Sequence, residues 1–260
     1  MDSLELSQYL LIALVFVWSG IVRSGLGFGG AVLSLPFLLL IDDRPQVYLP
    51  IISVHLLLFG GLTVLRGQQK FKNNQSEHLS PIDWNYLKKA MGIMLVPKII
   101  GVLGLVSLPN NILSGIIFVI VFAYSLSYIF NKPFRSQHPW IDNTFLILGG
   151  YISGTSLIGA PLIITVFSKH VHKNQLRDTL FALWVILVSI KMAAFIWVGL
   201  DLQLEHALYL LPPVALGHWI GLKLHHRLQQ AEPVMFFRVI GLALLCICLI
   251  GFYQALQSFF

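Results

Sequence analysis

Gly20-Ile21-Val22-Arg23-Ser24-Gly25-Leu26-Gly27-Phe28-Gly29-Gly30 interrupts an apolar stretch near the start of the chain and leads into another apolar stretch holding Pro36. An echo, Gly150-Tyr151-Ile152-Ser153-Gly154-Thr155-Ser156-Leu157-Ile158-Gly159-Ala160-Pro161, follows at an offset of 130 residues that superimposes Gly20 on Gly150 and Gly29 on Gly159. Glycine clustered beside proline weakens helix and frees backbone amides. Breaks at corresponding places in two internal repeats are how many secondary transporters present amides and helix ends to a solute inside the bilayer. The two stretches therefore predict a single membrane domain with a first repeat over 1–140 and a second over 141–260.

Composition agrees with a membrane setting. The chain is 57% hydrophobic and 11% charged, which excludes an ordinary soluble domain and predicts an all-α polytopic protein. Apolar runs cover 8–22, 29–41, 46–66, 88–106, 112–130, 142–154, 159–168, 178–199, 206–223 and 235–257, five in each half. The runs flanking the glycine hinges are the short ones. About 13 helical residues rise only about 20 Å, less than the hydrocarbon core, so these are either broken spans or re-entrant half-helices.

Charge sets the expected orientation. With the N-terminus outside, the inner face collects Arg66, Lys70, Lys72, Lys88, Lys89, Lys132, Arg135, Lys169, Lys173, Arg177, Lys223, Arg227 and Arg238, whereas the outer face keeps Arg44 alone. That positive-inside bias predicts a multi-pass protein with both termini on the outer face, which for a bacterial inner membrane is the periplasmic side. An odd number of crossings per half makes the second repeat inverted relative to the first. The net charge of +6 flanks spans instead of forming a basic domain, which points to anionic membrane lipid and away from nucleic acid. The first run, preceded by Asp2 and Glu5 instead of a basic segment, reads as a retained helix and not a signal peptide.

A second correspondence lies downstream, where Lys98-Ile99-Ile100-Gly101 matches His218-Trp219-Ile220-Gly221 at an offset of 120. Gly217 and Gly221, like Gly150 and Gly154, have the four-residue spacing that lets helices approach closely. Helix packing thus competes with ligand binding as the reason for the glycines.

Once residues at the run ends are assigned to the flanks, the cations left within the runs are Arg23, Lys98 and Lys191, joined by His55 and His218, with no Asp or Glu. A charge at mid-membrane costs at least about 2.5–3.5 kcal/mol on insertion scales and needs a carbonyl, water or an opposite charge. With no carboxylate in the runs, a small bound anion is the economical partner. It would lie between the hinges, against the amides of Gly27, Gly29, Gly30 and Gly159 and the helix N-termini near Gly29 and Gly159. Ser24, Thr155 and Ser156 would add hydroxyl donors, and Lys98 and Lys191 a longer-range positive potential. Arg23 also lies near enough to its run end to snorkel. His55 and His218 are either neutral and bonded to backbone or proton-handling.

No cofactor is implied. His170, His172, His225 and His226 lack an accompanying Cys or carboxylate set for metal, and Cys246 and Cys248, two residues apart on one helix, read as structural thiols.

The first hinge with its Leu/Pro run, its echo through Gly159-Ala160-Pro161, and the Gln175-Leu176-Arg177-Asp178-Thr179-Leu180 entry to the next run resemble the TauE/SafE family of sulfite and organosulfonate exporters. The second hinge departs from the pattern, with Thr155-Ser156 where the repeat calls for glycine. The resemblance implies transport of small sulfur-containing anions, commonly outward. A non-transporting assembly or sensory subunit is the alternative. A membrane-embedded enzyme fits less well, because the runs offer no carboxylate pair, metal-ligand set or nucleophile-and-base spacing. Homo-oligomerisation stays open.

Overall fold

The computed structural model describes residues 4–27, 29–73, 80–132, 134, 136, 138–230 and 233–257, with side chains described outside 226–237 and 255–257. Every helix or strand among them is a helix. The first half contains α1 (Leu6–Leu26), α2 (Gly30–Ile41), α3 (Pro45–Asn73), α4 (Trp84–Ser107) and α5 (Asn110–Ile129). The second contains α6 (Pro139–Ser156), α7 (Ala160–His170), α8 (Lys173–Trp197), α9 (Leu204–Tyr209), α10 (Leu211–Gln230) and α11 (Pro233–Gln257). Helices α1, α3, α4, α5 and α8 are long and apolar enough to cross a membrane. The protein is a multi-pass membrane protein.

Local chemistry sets the helix ends. A capping box between Glu5 and Gln8 starts α1, the Asp83 carboxylate accepts from the Tyr86 amide at the start of α4, and Pro139 opens α6. The run expected over 206–223 is divided. Pro212 and Pro213 have no N–H to return to the carbonyls of the preceding turn, so α9 stops at Tyr209 and α10 begins after Leu210.

Both glycine stretches remain helical for most of their length, and the chain reverses only at their ends. Gly20 and Gly25 lie within α1, whereas Gly27 and Gly29 both have φ +81°, a left-handed conformation open to residues without a Cβ. At the second break the left-handed residue is Leu157, φ +62°, at the position that the offset of 130 assigns to Gly27. Gln8 Nε2 near the start of α1 donates to Ile41 O at the end of α2. Lys169 and His170 at the end of α7 reach the Asp142 carboxylate in the first turn of α6, at 3.0 and 2.8 Å, and Ser136 donates to the same group. Each broken pair is therefore a hairpin whose two ends lie together.

The hairpins are clasped by helices of the opposite half. α1 packs along α10 and α6 along α4, while α3 faces α8 and α5 faces α11. Glycine permits the closest of these crossings. A Cβ on Gly101 would lie 2.2 Å from Tyr151 O, one on Gly154 2.4 Å from Lys98 O, and one on Gly217 2.1 Å from Val17 O. Gly20, Gly150 and Gly221 meet backbone in the same way. These glycines serve packing, and only the ends of the two stretches serve the break.

Candidate functional site

Where the two hairpin tips meet, they enclose a small cavity. The first hairpin contributes Ser19, Arg23, Gly29 and Gly30, the second Ser153, Leu157 and Ala160, and α3 and α8 close it with apolar side chains including Phe181 and Trp184. The offset that aligns the hinges carries Arg23 onto Ser153 and Gly30 onto Ala160, so corresponding positions face one void. Its volume is about 40 Å³. At about 10–15 Å³ per water-sized occupant, that is room for roughly three or four non-hydrogen atoms.

Arg23 gives the cavity its chemistry. The side chain is 6% exposed, and neither Nε nor Nη2 has a hydrogen-bond partner among the described residues. Its neighbour is the Phe59 ring, whose centroid lies 5.1 Å from Cζ, and a cation–π contact of this kind supplies only about 0.5–2 kcal/mol. Trp184 Nε1 is a third buried donor without a partner on the same cavity. Buried donors normally find acceptors. The cavity is thus lined by two residues with three buried donor nitrogens lacking partners, two of them on one guanidinium.

The two buried lysines are placed differently. Lys98 Nζ donates to Ser153 O at 2.8 Å and Ser153 Oγ at 3.0 Å, and Lys191 Nζ donates to Thr155 O at 3.2 Å. Both are fully buried, and neither lines the cavity. They donate to carbonyls in the last turn of α6, where cations complement the helix dipole, Lys98 sharing Ser153 O with the Leu157 amide that closes the helix. The interrupted helix itself supplies acceptors to both ammoniums, a partner that the apolar runs did not reveal. Lys98 stands one residue behind the cavity, through Ser153, whereas Lys191 is bonded to Thr155, which does not line it.

The hydroxyls are also engaged. Thr155 Oγ1 and Ser156 Oγ both donate back to Ile152 O, each at 3.0 Å, and Ser24 Oγ is paired with His218 Nδ1 at 2.6 Å. None of the three lines the cavity. Gly27 packs against Arg177 at the tip, and Gly159 has ordinary right-handed φ and fits under Gly149 O. Of the residues singled out from the sequence, the structure thus brings Arg23, Gly29 and Gly30 together on the void. His55 Nε2 donates to Ala207 O at 2.8 Å, leaving Nδ1 buried without a partner. The His218 ring lies tilted against Phe59, ring centroids 4.7 Å apart, the same ring that Arg23 contacts.

Two carboxylates that the run assignment placed in the flanks are helical. Asp142 is 6% exposed in the first turn of α6, and Asp178 lies in α8. Neither lines the cavity. Ser153, Phe181 and Trp184 were missed by the sequence reading. Ser153 carried a usable signal, its register with Arg23, whereas the two aromatics sit in an apolar run that marks no single position.

A family model described as "Sulfite exporter TauE/SafE" matches residues 11–251. No curated protein and no solved structure matches the chain.

Proposed function

The chain belongs to the sulfite exporter TauE/SafE family, and we propose that it carries a small sulfur-containing oxyanion, of which sulfite is the type, outward across a bacterial inner membrane. The observation that carries this reading is the buried Arg23 guanidinium with two unpaired N–H groups on a cavity shared by both hairpin tips. A pyramidal anion of four heavy atoms suits about 40 Å³. An organosulfonate needs a wider opening, and one bearing an ammonium finds no carboxylate among the described residues of the cavity wall.

The exchanged packing, α1 on α10 matched by α6 on α4, supports two inverted repeats and with them alternating access by movement of one hairpin against the other. The charge bias puts the ends of the α1–α2 hairpin outside and those of the α6–α7 hairpin inside. An inside-negative potential then favours anion exit by about 2.3 kcal/mol per charge per 100 mV. No coupling ion is required, and His55, with its free Nδ1, is the group through which a proton could enter the cycle.

Proteoliposomes test the proposal. Sulfite, thiosulfate, sulfoacetate, taurine and simple carboxylates are loaded singly and efflux is followed under an imposed potential. Sulfite is expected to move fastest and taurine slowest. Efflux indistinguishable from protein-free liposomes for every anion would leave a non-transporting role.

A further inference from the structure

Arg177 stands one side chain away from the cavity, over the ring of Phe181. It lies in the second turn of α8, where Nη2 donates to Ser24 O on the last turn of α1 at 3.3 Å and Nε, buried, has no partner. Its Cγ is 3.4 Å from where a side chain on Gly27 would begin. Its Cζ is 5.5 Å from the centroid of the Phe181 ring, and Phe181, 2% exposed, is part of the cavity wall. The adjacent Asp178 is turned toward α3, with Oδ2 2.6 Å from the Cβ position of Gly67, and makes no ion pair with Arg177. Arg177 is half-buried where Arg23 is buried, so a dissolved anion meets Arg177 first. The offset of 130 carries Arg177 onto Val47 and Arg23 onto Ser153. The other mouth of the path therefore lacks both cations.

Resting on the transport reading and its orientation, we propose that Arg177 is the capture residue at the cytoplasmic mouth and that Phe181 is the gate between it and Arg23. An anion paired with Arg177 weakens the hold of the guanidinium on the ring, because a neutralised cation gains less from the ring quadrupole. The ring is then free to turn, and the anion passes to the orphan donors of Arg23. A path with a guanidinium free of any ion pair among the described residues at its inner mouth, and at its outer end an Arg44 already paired with Asp42, collects anions from the cytoplasm and releases them outside.

Sided thiol labelling of the full-length protein tests this. Val188→Cys, on the cavity-lining face of α8, is introduced with Cys246→Ser and Cys248→Ser. Inside-out and right-side-out membrane vesicles are then treated with an anionic sulfonatoethyl methanethiosulfonate and with its neutral methyl counterpart. Arg177→Gln should slow the anionic reagent about tenfold from the cytoplasmic face and leave the neutral one unchanged, while Arg177→Lys keeps the selectivity. Phe181→Ala should speed both reagents about tenfold from that face only. Equal effects of Arg177→Gln on both reagents, or acceleration by Phe181→Ala from the outer face or from neither, would overturn the assignment. Sulfite titration of the same proteins separates the two readings. Sulfite bound normally beside unaltered labelling sinks the gate alone, and absence of sulfite binding in the parent protein sinks the transport reading while the labelling ratios still decide the gate.

Discussion

Replacing Arg23 by glutamine should weaken anion binding while making the empty protein more stable, a combination that a merely structural arginine cannot produce. Two guanidinium N–H groups have no partner in the empty site, and hydrogen bonds to charged groups contribute about 1.5–3 kcal/mol each. Taking about 3–4 kcal/mol for the pair and returning about 1 kcal/mol for one neutral amide bond leaves a loss of about 2–3 kcal/mol, roughly 30- to 150-fold in Kd. In the empty protein the sign reverses. A buried cation costs at least about 2.5 kcal/mol, and the Phe59 contact offsets only about 0.5–2 kcal/mol of it. Removing the charge should therefore raise the melting temperature by a few degrees. Thermal denaturation of the purified protein with and without sulfite reads both effects, since ligand at a hundredfold its Kd stabilises the wild type by about 2.7 kcal/mol. An Arg23→Gln protein that melts lower and keeps the full sulfite-dependent shift would show that the guanidinium anchors the fold.

Lys98→Gln and Lys191→Gln should each lower sulfite affinity by no more than about 1 kcal/mol, roughly fivefold, because their ammoniums are held by Ser153 and Thr155 carbonyls; calorimetric titration beside Arg23→Gln gives the ranking, and a larger loss in either lysine variant would move the anion toward α6. Gly101→Ala, whose Cβ would sit 2.2 Å from Tyr151 O, should destabilise by about 2 kcal/mol or more, whereas Gly61→Ala, with nothing within 4 Å, should gain about 0.5–1 kcal/mol; melting curves of the pair check this. For orientation, cysteines at the exposed Ser107 and Ser168 should react with impermeant reagent from the outer and the inner face respectively, and the reverse pattern would invert the transport direction argued from charge. Ser3, Ser76 and Ser258, natural choices on sequence grounds for labelling the termini and the inner loop, lie outside the described residues.

The helices and their breaks were legible because they depend on local chemistry. Apolar length marks the spans, and glycine at Gly27 and Gly29 marks the first reversal within a residue or two of where the left-handed φ values fall. The second reversal was visible through register alone, since its left-handed residue is a leucine, Leu157, and composition gives no warning of it. Reading whole glycine stretches as hinges overreached for a physical reason. A glycine that lets Gly154 meet the backbone of Lys98 and one that lets the chain turn at Gly29 are the same letter, and only the neighbour from another helix separates them. The site shows the same limit. Arg23, Lys98 and Lys191 were equivalent as buried cations in a run without acids, and their difference is whether an interrupted helix puts carbonyls within reach. Lys98 and Lys191 come from α4 and α8 against the C-terminal end of α6, where the Ser153 and Thr155 carbonyls lie within reach. Arg23 comes from the last turn of its own broken helix, and its Nε and Nη2 reach no acceptor there. Arg23 on the interrupted helix thus keeps unpartnered donors, while the ammoniums of Lys98 and Lys191 on the helices around α6 are bonded to its last turn.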